Sequence, residues 1–200
     1  MEDVFKTITA PSEGLYKEKG SRFIAFAFPV STEEQIREIL DGLKDKYCDA
    51  RHHCYAWRLG AEKTLFRAND DGEPSSTAGK PILGQIQSKD LTDILIVVIR
   101  YFGGIKLGVS GLINAYREAA SAALANAVVE ERTVNVTLRI RFDYLVMNSV
   151  MKIIKDEEPE VLERNFGSEC EMLLSIRQKN MPRLRDRLEK VESLFFPDEK

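Results

Sequence analysis

Three short stretches carry side chains whose types and spacing can do chemistry. His52 and His53 are adjacent, and histidine ordinarily titrates near neutral pH, so either ring can move a proton. Asp70, Asp71 and Glu73 put three carboxylates within four positions, with Gly72 among them. Such a loop holds a divalent ion, lies solvated as a turn, or caps the helix that follows it. The third stretch places Arg100, Gly103, Gly104, Lys106 and Gly111 between an apolar run and an alanine-rich one. Glycines and a lysine between a buried strand and a helix start make a potential anion site, because free N–H groups and the positive dipole end point out of the helix. The same glycines also suit a tight strand-to-helix turn that needs positive φ and close packing.

Motif spacing narrows the chemistry. No glycine is followed by Lys-Ser or Lys-Thr at the spacing of a Walker A loop. Gly104 and Gly108 lack a third glycine in register for a dinucleotide fingerprint, and Leu112 stands where a nucleophile elbow at Ser110 needs its second glycine. Neighbouring residues on a strand point to opposite faces, so His52 and His53 do not join one metal centre in simple fashion. The acidic loop also misses the calcium-loop spacing. Neither a metal nor a cofactor is expected.

These residues need elements to hold them. Ile94 to Ile99 is an unbroken apolar run, the pattern of a strand buried on both faces, and Val109–Asn126 carries Leu112, Ala115, Ala119 and Ala123 on one helical stripe. Upstream, 14–17 and 22–28 read as strands joined through Lys19-Gly20. Ser31 with Glu34 reads as a capping box for a helix to about Tyr47. A hairpin follows, with strands 50–59 and 64–68 around the loop 60–63, then a helix from about 76 or 77 to 87 capped by Ser76 or Thr77. From Val134 the pattern changes to alternation, and strand 134–142, helix 144–156, strands 160–166 and 171–177, a helix capped near Asn180 and strand 193–196 give the ferredoxin-like order β-α-β-β-α-β. The fold class expected is α+β in two domains, 1–132 and 133–200, divided at 130–133, where the alanine-rich helix ends in charges.

Composition excludes several classes. With 29 basic and 32 acidic residues, no global positive field advertises nucleic acid. Three cysteines at spacings that match no common zinc or redox motif read as reduced thiols. The first residues lack the pattern of a signal peptide, and no apolar stretch reaches membrane-spanning length. A soluble, cytoplasmic protein with no membrane partner is expected.

Three stretches together, "DARHHCYAWRLG" at 49–60, "RANDDGEPSSTAGKPIL" at 67–83 and "VVIRYFGGIKLGVSGLINAY" at 97–116, resemble the YigZ/IMPACT family. Ser76 stands where glycine is usual in that pattern, and Ser110 and Asn114 replace its common glycine and arginine. The resemblance implies a first domain like the second domain of ribosomal protein S-five, and a ferredoxin-like second domain similar to domains of elongation factor G. It marks His52, His53, Asp70, Asp71, Gly72, Glu73, Pro74, Gly79, Lys80, Pro81, Arg100, Tyr101, Gly103, Gly104, Lys106, Leu107 and Gly111. Eukaryotic members with a related domain regulate translation by interfering with activation of a starvation-responsive kinase.

Two functions follow. One is a non-enzymatic regulator or binding module acting on RNA, the ribosome or a translation-regulating protein, with Arg139, Arg141 and Arg177 as a nucleic-acid face on the second domain's open sheet. The other is an enzyme on a phosphorylated or nucleotide substrate, held in a first-domain cleft. That cleft is expected to gather His52 or His53, Glu73, Lys80, Arg100 and Lys106.

Overall fold

Six consecutive Ile, Leu and Val side chains need cover on both faces, and the chain supplies helices on both. The computed structural model describes residues 3–167 and 169–197; Met1, Glu2, Ser168 and 198–200, which the expected ranges include, lie outside the described residues. Its elements are β1 (Val4–Ile8), β2 (Ser12–Glu18), β3 (Ser21–Pro29), α1 (Glu33–Lys46), β4 (His52–Leu59), β5 (Leu65–Asn69), α2 (Gly79–Ser88), β6 (Ile94–Tyr101), α3 (Gly108–Ala125) and β7 (Val129–Thr133). They continue with β8 (Asn135–Phe142), α4 (Met147–Glu157), β9 (Glu160–Phe166), β10 (Cys170–Arg177), α5 (Met181–Leu188) and β11 (Leu194–Phe195). The architecture is α+β. Contacts divide the chain into two compact units, Phe5–Arg132 and a second running from Thr133 that includes Asp3 and Val4.

In the first unit a five-stranded sheet has the order β2-β3-β6-β4-β5, with β6 at its centre. Ile94, Ile96 and Val98 face a core shared with α2 and α3, including Ile82, Ile86, Ala115 and Ala119. Leu95, Val97 and Ile99 face the opposite core, shared with Ile36, Leu40 and Leu43 of α1. Two-sided burial of the run thus comes from helices on both faces of an antiparallel sheet. β1 and β7 pair as a separate two-stranded sheet. Neither strand was expected, because Val-Glu-Glu-Arg-Thr reads as a charged helix end.

Two helix starts differ from expectation. At α1 the N-cap is Thr32, whose side chain accepts from Gln35 N, while Gln35 Oε1 accepts from Ser31 N. The capping pattern is therefore Thr32 with Gln35, one residue later than Ser31 with Glu34. At α2 neither Ser76 nor Thr77 caps; the role falls to the distant Asp70, described below. Ser76 has φ +63°, the left-handed region that favours glycine.

In the second unit the sheet order is β11-β8-β10-β9, antiparallel throughout. Leu138, Ile140 and Phe142 of β8 and Cys170, Met172, Leu174 and Ile176 of β10 bury against Val150, Ile153 and Ile154 of α4 and Leu184 and Leu188 of α5. The alternate residues, Arg139 and Arg141 among them, form the sheet's other face. Asn180 stands at the N-cap of α5, but its side chain makes no capping bond. No helix among the described residues is long and apolar enough to cross a membrane.

Candidate functional site

Strand register builds the site. Phe23 pairs with Arg100 and Arg100 with His52, so one row across β3, β6 and β4 sets these three side chains on the α2/α3 face. The next residue of β4, His53, pairs with Ile99 and faces the other way. Its Nε2 lies 3.1 Å from the Tyr47 carbonyl, and its backbone N donates to Asp71 Oδ2 at 2.6 Å. His53 therefore anchors the end of α1 and stays out of the row.

Arg100 is the centre of the row and only 7% exposed. Its Nη1 donates to Glu73 Oε1 at 2.6 Å, and its guanidinium lies 5.5 Å from the Phe23 ring and 5.6 Å from the Phe102 ring. Arg100 Nε is buried without a hydrogen-bond partner. Glu73 Oε1 also accepts from the hydroxyl of Tyr116 at 2.8 Å. Cys54 Sγ stands 3.3 Å from that hydroxyl and 3.0 Å from the Asp70 carbonyl. Burial pushes both the Cys54 thiol and the Tyr116 phenol well above their ordinary pKa, so Cys54 remains a thiol and is no nucleophile. His52 Nδ1 lies 2.8 Å from the Asp71 carbonyl, which can only accept. The network therefore assigns the proton of the neutral ring to Nδ1 and leaves the lone pair on Nε2, 4.0 Å from Glu73 Oε1.

Above this layer opens a cleft of about 840 Å³, lined by His52, Glu73, Arg100 and Lys106 together with Asp49, Arg51, Tyr101, Phe102 and the Leu107–Val109 head of α3. The remaining expected residues do other work. Asp70 accepts from the backbone N of Ser76, Ala78 and Gly79 at 2.7, 3.0 and 2.8 Å, capping α2 from the preceding loop. Burial raises its pKa, and those three donors, aided by Lys80, more than offset this and hold it below the ordinary carboxylate value. Lys80 is exposed near the start of α2 and does not line the cleft. Gly103 is a close approach: a Cβ there would fall 1.9 Å from the carbonyl carbon of Gly20. Gly104 needs glycine for its φ of +88°, and Gly111 sits within α3 against the Leu107 side chain.

Sequence reasoning missed Tyr116, Cys54, Phe102 and Arg51 as parts of this site. Tyr116 had a signal: it lies four residues after Leu112 on the buried stripe, where a phenol needs a hydrogen-bond partner.

On the second unit Arg139 and Arg141 share one face with Arg177, yet each is paired. Arg139 Nη1 and Arg141 Nε both donate to Glu171, and Arg177 forks Asp3 at 2.6 and 2.9 Å. Arg139 and then Arg141 hold the Glu171 carboxyl below its ordinary pKa, and Arg177 does the same to Asp3.

Residues 19–124 match the model of the Impact N-terminal domain. The chain is 35% identical over 159 residues to the IMPACT family member YvyE of Bacillus subtilis, covering 80% of this chain and 73% of that protein. The chain belongs to the IMPACT family. It is also 30% identical to the IMPACT family member YigZ of Escherichia coli, over 78% of each chain. The crystal structure of a hypothetical protein aligns over 100% of both chains, with a TM-score of 0.76 and 25% identity. Every residue lining the cleft, from Asp49 to Leu112, falls inside the matched IMPACT domain.

Proposed function

We propose that this protein is a translation-associated regulator that works by binding, with the first unit's cleft as its contact site. The observation that carries this is the coincidence of the family domain, 19–124, with the whole lining of the cleft. A relative from Saccharomyces cerevisiae, "Protein IMPACT homolog", is 40% identical over 96 residues that make up only 36% of its length. What this chain shares with the yeast relative is thus domain-sized, and the resemblance implies regulation of translation. Binding also suits the chemistry. His52 Nε2 stands 4.0 Å from Glu73 Oε1, which is already shared by Arg100 and Tyr116. The lining hydroxyl that meets a carboxylate, Tyr101 on Asp49 at 2.7 Å, has its pKa raised by that hydrogen bond, which holds it as a neutral phenol rather than a nucleophile.

The second unit's order β11-β8-β10-β9, with both helices on one face, supports the ferredoxin-like reading. For the first unit the ribosomal protein S-five reading rests on the family resemblance. The domains are taken as 1–132 and 133–200, and RNA, a ribosome or a translation-regulating protein as the partner.

Ribosome cosedimentation tests this function. Wild-type protein is expected in the ribosomal pellet at low salt, and Arg51→Ala with Lys106→Ala is expected largely in the supernatant. Wild-type protein that stays in the supernatant at every salt concentration overturns the reading.

A further inference from the structure

We propose that the cleft takes a phosphate monoester carried on an apolar or aromatic body. The inference rests on the cleft being the contact site, and it names the chemistry of what is contacted.

The head of α3 is shaped for an oxyanion. Leu107 is right-handed, with φ −83° and ψ −21°, and Gly108 has φ +72°. Such a right–left alternation turns successive backbone N–H groups, here those of Leu107, Gly108 and Val109, toward one concavity. No side chain caps this helix, and among the described residues none of the three N–H groups bonds to another part of the chain. A Cβ on Gly108 would meet nothing within 4 Å, so the space ahead of the turn is open and glycine is there for its φ.

Arg100 points independently to a ligand. Burying a guanidinium N–H without an acceptor is unfavourable, and Arg100 Nε is left so in a residue more than nine-tenths buried at the cleft floor. The Phe102 ring lies against this guanidinium while 56% exposed itself, next to Gly103 and Gly104. A ligand's apolar body can take that ring's place over the guanidinium and bring an oxygen to Nε.

Charge and wall chemistry complete the assignment. Glu73 is neutralised by Arg100, and Asp49 accepts from the Tyr101 hydroxyl at 2.7 Å. Arg51 and Lys106 are exposed and have no hydrogen-bond or ion-pair partner among the described residues. Three backbone N–H groups, Arg100 Nε, Lys106 and Arg51 outnumber what two carboxylate oxygens can accept and suit the three terminal oxygens of a phosphate. Val109, which the fold leaves exposed, supplies a wall for the organic part.

The test is a titration of the full chain by ¹⁵N NMR with phenyl phosphate, inorganic phosphate, benzoate and phenol. Phenyl phosphate is expected to shift Arg100 Nε–H and the Gly108 and Val109 amides saturably. Arg51→Ala with Lys106→Ala, both at exposed positions, is expected to weaken this about tenfold without altering the rest of the spectrum. No saturable shift at those three positions, or equal affinity in the double variant, overturns the proposal. Benzoate binding as tightly as phenyl phosphate overturns the phosphate assignment, and phenol doing so reduces the cleft to an apolar pocket. The titration contains no ribosomes, so its failure is distinct from failure to cosediment.

Discussion

The two units treat arginine differently. Arg100 in the first is buried, has one carboxylate partner and keeps an N–H unmatched at the floor of a cleft. Arg139, Arg141 and Arg177 in the second lie on an open sheet face, yet meet Glu171 and Asp3. Cationic side chains alone therefore do not mark a site. Among the described residues the buried side-chain N–H that lacks a partner belongs to Arg100, in the first unit.

The largest effect expected comes from breaking the buried pair. Both side chains are nearly inaccessible, at 8% and 4%. Glu73→Ala strands the Arg100 charge and should lower unfolding free energy by about 3–5 kcal/mol, read from urea denaturation. Asp3→Ala exposes Arg177 to water instead and should move the urea midpoint far less. Equal losses in the two variants would erase the distinction between the units.

Next in size is Asp70→Ala, which removes one carboxylate from three backbone donors and should cost about 1–3 kcal/mol. The sign with pH follows from its depressed pKa. The folded value lies below the unfolded one, so the stabilisation is whole above an ordinary carboxylate pKa of about 4 and is lost as pH falls through the folded value. The gap in stability between wild type and Asp70→Asn should therefore narrow on acidification. A gap that widened would show that Asp70 is not the charged cap of α2.

Much of this site was legible before the structure. An apolar run in the middle of the first unit implied a central strand, which put Arg100 and the glycine turn at one sheet edge. Alternation along a strand separated His52 from His53. Long-range pairing was not legible: that Arg100 stands opposite both Phe23 and His52 depends on strand order, which local patterns do not encode. Lys80, the lysine at the start of α2, was expected in the cleft with Lys106 and does not line it. The structure fills that start with Asp70, which leaves no room there for a second anion.

A smaller effect is expected at Gly108. Alanine meets no atom there but must adopt φ +72°, so Gly108→Ala should cost about 1–2 kcal/mol or unwind the first turn of α3. Loss of phenyl phosphate affinity with the remaining α3 amides unshifted would locate the anion at that turn. Gly104→Ala, at φ +88° and outside the cleft lining, is the control. It carries similar strain and should leave affinity unchanged.

The smallest effect expected in the wild-type background is on the second unit's face. RNA affinity through salt-sensitive contacts requires guanidinium groups that exchange small counterions for phosphates, each contributing roughly one unit to the logarithmic salt slope. Arg139 and Arg141 donate to Glu171, and Arg177 to Asp3, so phosphates would have to displace carboxylates already in place. Reversing all three charges should then leave the salt slope for a homopolymeric RNA close to the wild-type value. Glu171→Gln is the sharper probe, because it keeps an acceptor and removes the compensating charge. It should raise the slope by about one unit, from Arg141, because Arg139 also pairs with Glu163 at 3.4 Å, and should tighten binding at low salt. A wild-type slope that already falls by about three units on charge reversal would make this face a nucleic-acid surface despite its carboxylates. The lesson drawn from the unmatched Arg100 N–H would then hold for the cleft alone.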